Sequence, residues 1–315
     1  MKIGITLPHL GSDATRENIL KIALDADKEG LDSVWVGERL LWPLKPQTPY
    51  PGTPDGSLPA FHQNVLDPLE SLTYVAANTN KIKLGTCVID MLFHNPIVLA
   101  RRFATLDVLS EGRVICGLGL GWSKDEYLAS NIPFELKGER ADEFIQVLKK
   151  VWTDDVVEFK GKFYNIPASK IGPKPIQKPH IPIYLGGAGP KTFTRITKYA
   201  DGWLPSTHGP LELIENNIKS LKAQPIKENR NPNQIKTVTL AFPQVSQEKS
   251  NSGDGGAGQR QQQSQRFPLT GTIEEIGIDI KRIKDMGVEH IIFAFVGLEL
   301  DKVIDTAKQL GKFAR

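Results

Sequence analysis

The sequence has little of what marks several large classes of protein. Only two of its 315 residues are cysteines, Cys87 and Cys116, each inside an apolar run typical of a strand. A disulfide framework is therefore not expected, and a reducing cytoplasm suits the chain. No apolar run approaches the roughly 20 residues of a membrane-spanning helix, and the N-terminal segment lacks a signal-peptide pattern. The formal net charge is only +3, which gives no electrostatic surface for nucleic acid.

Several motifs that carry chemistry are also missing. The six histidines show no H-E-x-x-H or other metal-ligand spacing, so no metal site is expected. There is no G-x-S-x-G nucleophile elbow and no Walker sequence. The glycine-rich stretch "GRVICGLGLGW" does not fit the dinucleotide fingerprint, because Trp122 stands where its third glycine would be. The sequence therefore excludes the simplest hydrolase, nucleotide-binding and metalloenzyme interpretations.

What the sequence does have is a regular alternation of strand-like and helix-like segments. Parallel strands need crossover connections, and helices between strands supply them. Eight strand–helix units favour a (β/α)8 barrel over an open doubly wound sheet. The eight strand-like segments are "KIGITLP", "LDSVWVGE", "KIKLGTCVI", "RVICGLGLG", "IPIYLGG", "DGWLP", "KTVTLAF" and "VEHIIFAFV".

Three further segments complete this α/β TIM barrel with excursion segments, predicted as a single domain over 1–315. "VVEFKGKFYNI" alternates and turns at Gly161, which predicts a hairpin. Residues 246–266 lack apolar anchors and are predicted to form a mobile insertion. The aromatic-rich loop over 40–65 either covers a substrate pocket or packs as a long ordered loop.

Active sites of such barrels lie at the carboxyl ends of the strands. There, "LGGAGPK" places glycines before a helix, which indicates either an anion site or a plain tight turn. Gly117, Gly119 and Gly121 share one strand face; they leave room either for a planar ligand or for close packing of a large, aromatic neighbouring side chain. Glu38 ends an apolar strand, where a carboxylate is costly unless it is paired or functional.

These motifs together resemble one known family. "LSEGRVICGLGLGW", "KDEY", "GERADE", "NPIVLARRFATLD", "PKPIQKPHIPIYLGG" and "YADGWLP" occur in the order found in the bacterial-luciferase-like superfamily of flavin and deazaflavin enzymes. The resemblance runs from residue 3 to about residue 207, and it is strongest to the branch that uses the deazaflavin coenzyme F420.

The resemblance implies a homodimer that holds its tricyclic cofactor in the barrel mouth. It implies a non-prolyl cis peptide at Cys87–Val88, in a bulge that supports the ring. The cofactor-binding residues that it implies are Cys87, Val88, Leu120, Gly121 and Asp125, with Gly186, Gly187, Ala188 and Gly189 near the phosphate.

One position departs from the family pattern. Many relatives have a histidine after the acidic residue of strand two, whereas this chain has Arg39, which is permanently charged and cannot act as an ordinary acid or base. The predicted proton carrier is therefore Glu38, with His9, His94 and Glu126 as the other candidates. Arg39, Trp42 and Trp122 are predicted to contact the substrate, with Arg39 binding either an anionic substrate or an electron-rich ring.

The resulting function is an oxidoreductase that transfers a hydride between F420 and a small organic substrate. The alternatives are an FMN-dependent monooxygenase that uses O2, and a barrel that binds flavin without turnover.

Overall fold

The computed structural model describes residues 1–224, 234–246 and 266–315. Its central feature is a closed parallel barrel, and the predicted fold is confirmed. The strands are β1 (Lys2–Thr6), β2 (Ser33–Val36), β3 (Lys83–Thr86), β4 (Ile89–Asp90), β5 (Val114–Gly119), β6 (Val157–Lys160), β7 (Asn165–Ser169), β8 (Ile183–Leu185), β9 (Gly202–Trp203), β10 (Lys236–Ala241), β11 (Gln244–Val245), β12 (Thr270–Gly271) and β13 (His290–Phe293). Residues 247–265 of the predicted insertion lie outside the described ranges.

The barrel closes around eight strand positions, because β3 and β4 are two parts of one bulged strand. Each strand pairs in parallel with the next in the order β1, β2, β3/β4, β5, β8, β9, β10 and β13, and β13 pairs back with β1. The predicted excursion hairpin is present as the antiparallel pair β6 and β7.

Helices cover the outside of the barrel, and their ends follow the capping signals in the sequence. They are α1 (Arg16–Lys28), α2 (Pro68–Ala76), α3 (Pro96–Leu109), α4 (Lys124–Ala129), α5 (Lys137–Thr153), α6 (Pro190–Tyr199), α7 (Leu211–Lys222), α8 (Ile273–Asp285) and α9 (Leu300–Gly311). Asp67 and Asn95 cap the proline starts of α2 and α3, and Thr272 with Glu275 forms the capping box of α8. In the described ranges, no helix combines the length and apolar character needed to cross a bilayer.

The lumen of the barrel is filled by large side chains that lie beside glycines. The Trp35 ring occupies the space where side chains of Gly4 and Gly85 would lie, and Tyr184 does the same beside Gly202. These aromatic rings form a buried layer with Ile115, Leu204, Val238 and Ile292. The lower barrel is therefore a packed core rather than a pore.

The glycine face of β5 is explained by its bulged neighbour. A Cβ on Gly117 would lie 1.8 Å from the carbonyl oxygen of Thr86, and one on Gly119 would lie 2.6 Å from Val88 and 2.7 Å from Asp90. Neighbouring backbone and side chains fill this space, so close packing is correct for Gly117 and Gly119, although the neighbours are not aromatic. Gly121 has a positive φ of 74° and faces Phe93, which is aromatic.

Candidate active site

A cavity of about 510 Å³ opens at the carboxyl ends of the barrel strands. Its volume suits a small molecule or an organic cofactor, and its wall is largely apolar with a few polar groups. The polar and aromatic residues that line it are Thr6, His9, Ser12, Asp13, Glu38, Arg39, Tyr50, Phe61, His62, Asp90, Trp122, Ser206, His208, Phe242 and Phe295.

Glu38 is held in a fixed position at the edge of this cavity. Its Oε2 accepts a hydrogen bond from the backbone N–H of Asp90 at 2.8 Å, and its Oε1 lies 2.7 Å from Nε2 of His94. The Glu38 side chain is 11% exposed and that of His94 is 20% exposed. His94 does not itself line the cavity. The pair therefore connects a cavity-facing carboxylate to a second titratable group, as a proton-transfer site requires.

Asp90 is a site residue that the sequence interpretation missed. Burial, together with the nearby negative charges of Glu38 and Glu126, raises the pKa of its carboxyl to about 7. Asp90 lines the cavity and carries a proton in a large fraction of molecules near neutral pH. Its position at the end of a strand was visible in the sequence. Its altered acidity was not, because the responsible groups come from different loops.

Arg39 and Glu126 form a buried ion pair at the same end of the barrel. Nη1 of Arg39 lies 3.2 Å from Oε2 of Glu126, and their side chains are 7% and 0% exposed. Oε1 of Glu126 accepts hydrogen bonds from the backbone N–H groups of Leu40 and Leu41, at 2.8 and 3.4 Å. Glu126 thus anchors the start of the long loop. Its predicted role as a proton carrier stays a prediction, and burial raises the pKa of its carboxyl.

Both ring nitrogens of His9 are hydrogen-bonded to backbone groups. Nδ1 lies 2.7 Å from the carbonyl oxygen of Leu7, and Nε2 accepts a hydrogen bond from the N–H of Gly37 at 2.8 Å. Burial lowers the pKa of His9 to about 4, so the ring is neutral at physiological pH. This arrangement favours a positioning role at the cavity wall over the predicted catalytic one.

The bulge between β3 and β4 has the predicted backbone conformation. The Cys87–Val88 peptide is cis, and both residues line the cavity. The carbonyl oxygen of Val88 accepts a hydrogen bond from the N–H of Glu38 at 3.1 Å, which joins the bulge to the catalytic candidate. Burial raises the pKa of the Cys87 thiol to about 12, so it stays protonated. Both cysteines are free.

The glycine loop before α6 adjoins the cavity without lining it. A Cβ on Gly186 would lie 3.6 Å from Cγ1 of Val88, whereas one on Gly189 would meet nothing within 4 Å. Helices α2 and α3 also begin with a proline, but their first N–H groups are capped by side chains. Gly189 provides no such cap for α6. The first turn of α6 can therefore bind an anion, while Gly187 and Ala188 stay exposed.

The loop over 40–65 is fastened to the barrel rather than loosely laid over it. Oδ2 of Asp125, in α4, accepts a hydrogen bond from the N–H of Gln47 at 2.9 Å and so ties the loop to the barrel. Within the loop, Trp42 Nε1 donates to the carbonyl oxygen of Leu58 at 3.1 Å. Neither Asp125 nor Trp42 lines the cavity, so their predicted roles toward cofactor and substrate stay predictions. The loop's contributions to the cavity wall are Tyr50, Phe61 and His62.

Leu120 and Gly121 form the link from β5 to α4. The carbonyl oxygen of Leu120 accepts a hydrogen bond from the Tyr127 hydroxyl, and that of Gly121 accepts from Nζ of Lys137 at 3.2 Å. Their neighbour Trp122 lines the cavity, where the guanidinium carbon of Arg39 lies 5.0 Å from its ring centroid. Of the three predicted substrate contacts, Arg39 and Trp122 are therefore brought together and Trp42 is not.

Comparison with known proteins shows which family the chain belongs to. A sequence profile described as luciferase-like monooxygenase matches residues 1–252, well over half of the chain. The chain belongs to the luciferase-like monooxygenase family. This confirms the resemblance drawn from the motifs, and it identifies the protein as an oxidoreductase from a family of oxidoreductases and monooxygenases.

Two curated relatives illustrate how similar this luciferase-like chain is to other proteins. It is 38% identical over 198 residues to an uncharacterized protein of Mycobacterium tuberculosis, covering 61% of this chain and 70% of that one. It is 30% identical over 207 residues to an F420-dependent glucose-6-phosphate dehydrogenase of Amycolatopsis mediterranei, covering 64% and 56%.

Two solved structures share the fold at low sequence identity. The F420-dependent tetrahydromethanopterin reductase of Methanopyrus kandleri superposes with a TM-score of 0.76 at 18% identity, covering 100% and 99% of the two chains. A riboflavin lyase determined with modified FMN and riboflavin gives 0.76 at 14% identity, covering 99% and 91%.

Proposed function

We propose that this protein is an F420-dependent oxidoreductase that transfers a hydride between the deazaflavin and a small organic substrate. The observation that carries the proposal is the cavity at the carboxyl ends of the strands, with the Cys87–Val88 bulge in its wall and the uncapped start of α6 beside it. The curated relatives named for F420 dependence support deazaflavin as the cofactor.

The residues present fit such a cofactor. The cavity wall beside Val88 is apolar, as a tricyclic ring requires, and Gly186 lies directly behind that wall. Gly187 and Gly189 have positive φ values of 87° and 102°, so the backbone there approaches a ligand without side chains in the way. The N–H groups at the start of α6 would bind the cofactor phosphate.

The deazaflavin, when bound, supplies the hydride chemistry, and the protein supplies position and protons. Glu38 holds a proton at Oε1 or passes it to Nε2 of His94, 2.7 Å away. Asp90 provides a second carboxyl, whose pKa of about 7 lets it give or take a proton near neutral pH. The apolar wall of the cavity limits the access of water to these groups.

FMN-dependent oxygen chemistry is the second candidate. The family is described as monooxygenases, and a fold neighbour was determined with modified FMN. The same cavity and the same helix start suit either ring, since both cofactors carry a phosphate and a flat tricycle. The two candidates are therefore distinguished by which cofactor the protein binds and by whether the reduced cofactor reacts with oxygen.

The decisive experiment is native mass spectrometry of the protein mixed separately with F420 and FMN. We expect a stoichiometric complex with F420 and none with FMN. Aerobic mixing then provides a second measurement: reduced F420 with the enzyme is consumed only when an organic acceptor is added. A complex with FMN alone, together with hydrogen peroxide or an oxygenated product in air, would replace the proposal with the monooxygenase.

We also propose that the protein acts as a homodimer on a small organic molecule. A groove of about 340 Å³ runs between α2 and α3 on the outside of the barrel. Val98, Val108 and Leu109 on α3 are 54%, 40% and 58% exposed. Clustered apolar exposure of this kind is typical of a surface that a partner covers.

A further inference from the structure

Arg39 is a buried cation whose hydrogen-bonding capacity is unused. Its side chain is 7% exposed and lines the cavity, yet it donates no hydrogen bond to any residue in the described ranges. The 3.2 Å contact of Nη1 with Glu126 balances its charge, but the direction of that contact does not suit a hydrogen bond. Leaving guanidinium donors unpaired away from water is costly. The geometry therefore indicates that a ligand provides an acceptor atom here.

The surrounding charges decide what kind of acceptor fits. Glu126 neutralises Arg39, and the other carboxyls that line the cavity are Glu38, with His94 beside it, Asp90 and the exposed Asp13. The groups facing Arg39 thus add no net positive charge. Because Glu126 already balances the charge of Arg39, a carboxylate or phosphate on the ligand would face the carboxyl groups of Glu38 and Asp13 and a partly ionised Asp90, whereas a carbonyl oxygen accepts hydrogen bonds without that penalty.

The aromatic side chains beside Arg39 indicate which ligand shape fits the cavity. Arg39 lies over Trp122, the ring centroids of Trp122 and Tyr50 are 5.5 Å apart, and those of Tyr50 and His62 are also 5.5 Å apart. Phe61 continues the row at 4.5 Å from His62. Burial and the charge of Arg39 lower the pKa of His62 to about 4, so this ring is neutral. The rings are tilted by 64°, 56° and 42° to their neighbours, so the row is a stepped aromatic wall beside the unused donors. A flat, conjugated molecule packs against such a wall by offset stacking on one ring and edge-to-face contact with the next.

We propose that the substrate is a neutral, flat carbonyl compound whose oxygen accepts hydrogen bonds from Arg39 and whose rings lie against Trp122 and Tyr50. The inference rests on the proposed function, since it takes this cavity to be the substrate site. It goes further by naming the substrate class, and by explaining why an arginine rather than a histidine follows Glu38.

The test uses three naphthalenes with substituents of similar size: 2-acetylnaphthalene, 2-naphthoate and 2-ethylnaphthalene. They present a carbonyl, a carboxylate and no acceptor. Quenching of tryptophan fluorescence, measured with and without F420, gives the affinity of each. In the unaltered protein we expect the ketone to bind at least about tenfold tighter than either other probe, the gain typical of a hydrogen bond to a charged group.

Two variants separate the effects of hydrogen bonding and charge. Glu126→Gln keeps an acceptor for Leu40 and Leu41 but leaves Arg39 unbalanced, so the preference should move toward 2-naphthoate by about tenfold or more. Arg39→Met combined with Glu126→Gln removes the pair without leaving a buried charge, and should abolish the preference for the ketone over 2-ethylnaphthalene. Arg16→Met, on the outer surface of α1, is the matched control and should change nothing.

The proposal is overturned if the ketone shows no preference in the unaltered protein, or if that preference survives in the double variant. F420 binding is followed separately through the anisotropy of its own fluorescence. Arg39-dependent ketone binding without F420 binding would contradict the proposed cofactor and retain the substrate class. F420 binding with no preference for the ketone would retain the proposed cofactor and contradict the substrate class.

Discussion

Glu38 depends on two neighbours that come from one segment of the chain. The backbone N–H of Asp90, the last residue of the bulged strand, donates to one carboxylate oxygen, and His94, four residues later, contacts the other. A carboxylate held in this way can give or take a proton in a single orientation. Its chemistry and its position can therefore be tested separately.

Replacement of Glu38 by glutamine keeps the shape and removes the acid. We expect kcat to fall by roughly 10²- to 10⁴-fold, the range for loss of a general acid or base, with cofactor affinity within a few-fold of the original. Turnover with an accepted substrate and a fluorescence titration of the cofactor are the two measurements. Glu17→Gln, at an exposed position of α1, is the control; unchanged kcat in Glu38→Gln would move the proton-carrying role to Asp90.

His290 lies in the lower half of the barrel, where Nε2 is 2.8 Å from Oγ of Ser33. Burial lowers its pKa to about 3, from 6.5 in an unfolded chain. Because the folded state needs the neutral ring, this contribution to stability is complete above pH 6.5 and is lost as the pH falls toward 3.

His290→Gln keeps a polar side chain that does not titrate. The variant should have a lower free energy of unfolding than the original protein at pH 7.5. The difference between the two free energies should shrink by about 2 kcal/mol at pH 5, because only the original protein loses the contribution of the neutral His290 ring. Denaturant unfolding at both pH values measures this gap, and other titrating groups cancel because both proteins share them. Equal gaps at the two pH values would show that His290 does not titrate as described.

The sequence predicted which residues end the strands, but not what their environments do to them. Glu38 and Arg39 were identified because charged residues after an apolar strand are conspicuous. Asp90 was missed, because its altered acidity depends on Glu38, Glu126 and burial, which come together only in the folded chain. The same is true of His9, whose two backbone partners cannot be deduced from spacing.

At the scale of elements, the start of α6 is where cofactor binding can be tested most directly. Gly187→Asp places a carboxylate beside N–H groups that would hold a phosphate. We expect at least tenfold weaker cofactor binding, measured by fluorescence titration, in a protein that still folds. Gly30→Asp is the matched control, because Gly30 also has a positive φ, 73°, and open space around it. Equal affinities in the two variants would place the phosphate elsewhere.

Most elements could be predicted because their signals are local. The proline starts, the capping box and the excursion hairpin all depend on residues a few positions apart, and all are present. The short helix α4 and the two-residue pair β11–β12 were not predicted, since neither carries a long periodic pattern. The meaning of Gly117 and Gly119 also needed the structure, because the atoms that occupy their space belong to another strand.

At the scale of the whole molecule, the α2–α3 groove predicts how two copies would associate. Val98→Lys with Leu109→Lys places two charges on the exposed apolar face of α3. We expect light scattering after gel filtration to show a dimer for the original protein and a monomer for this variant. Ile278→Lys, on an equally exposed site of α8, should leave the mass unchanged. A monomer in all three cases would contradict the proposed homodimer.

The packed layer around Trp35 and Tyr184 has a kinetic consequence. Because this layer seals the barrel below the cavity, a molecule that enters from the carboxyl end must leave by the same end. If cofactor and substrate share this closed-ended cavity as proposed, we expect the one that lies deeper to enter first and to leave last. Product-inhibition patterns would then reveal an ordered rather than a random sequence of binding.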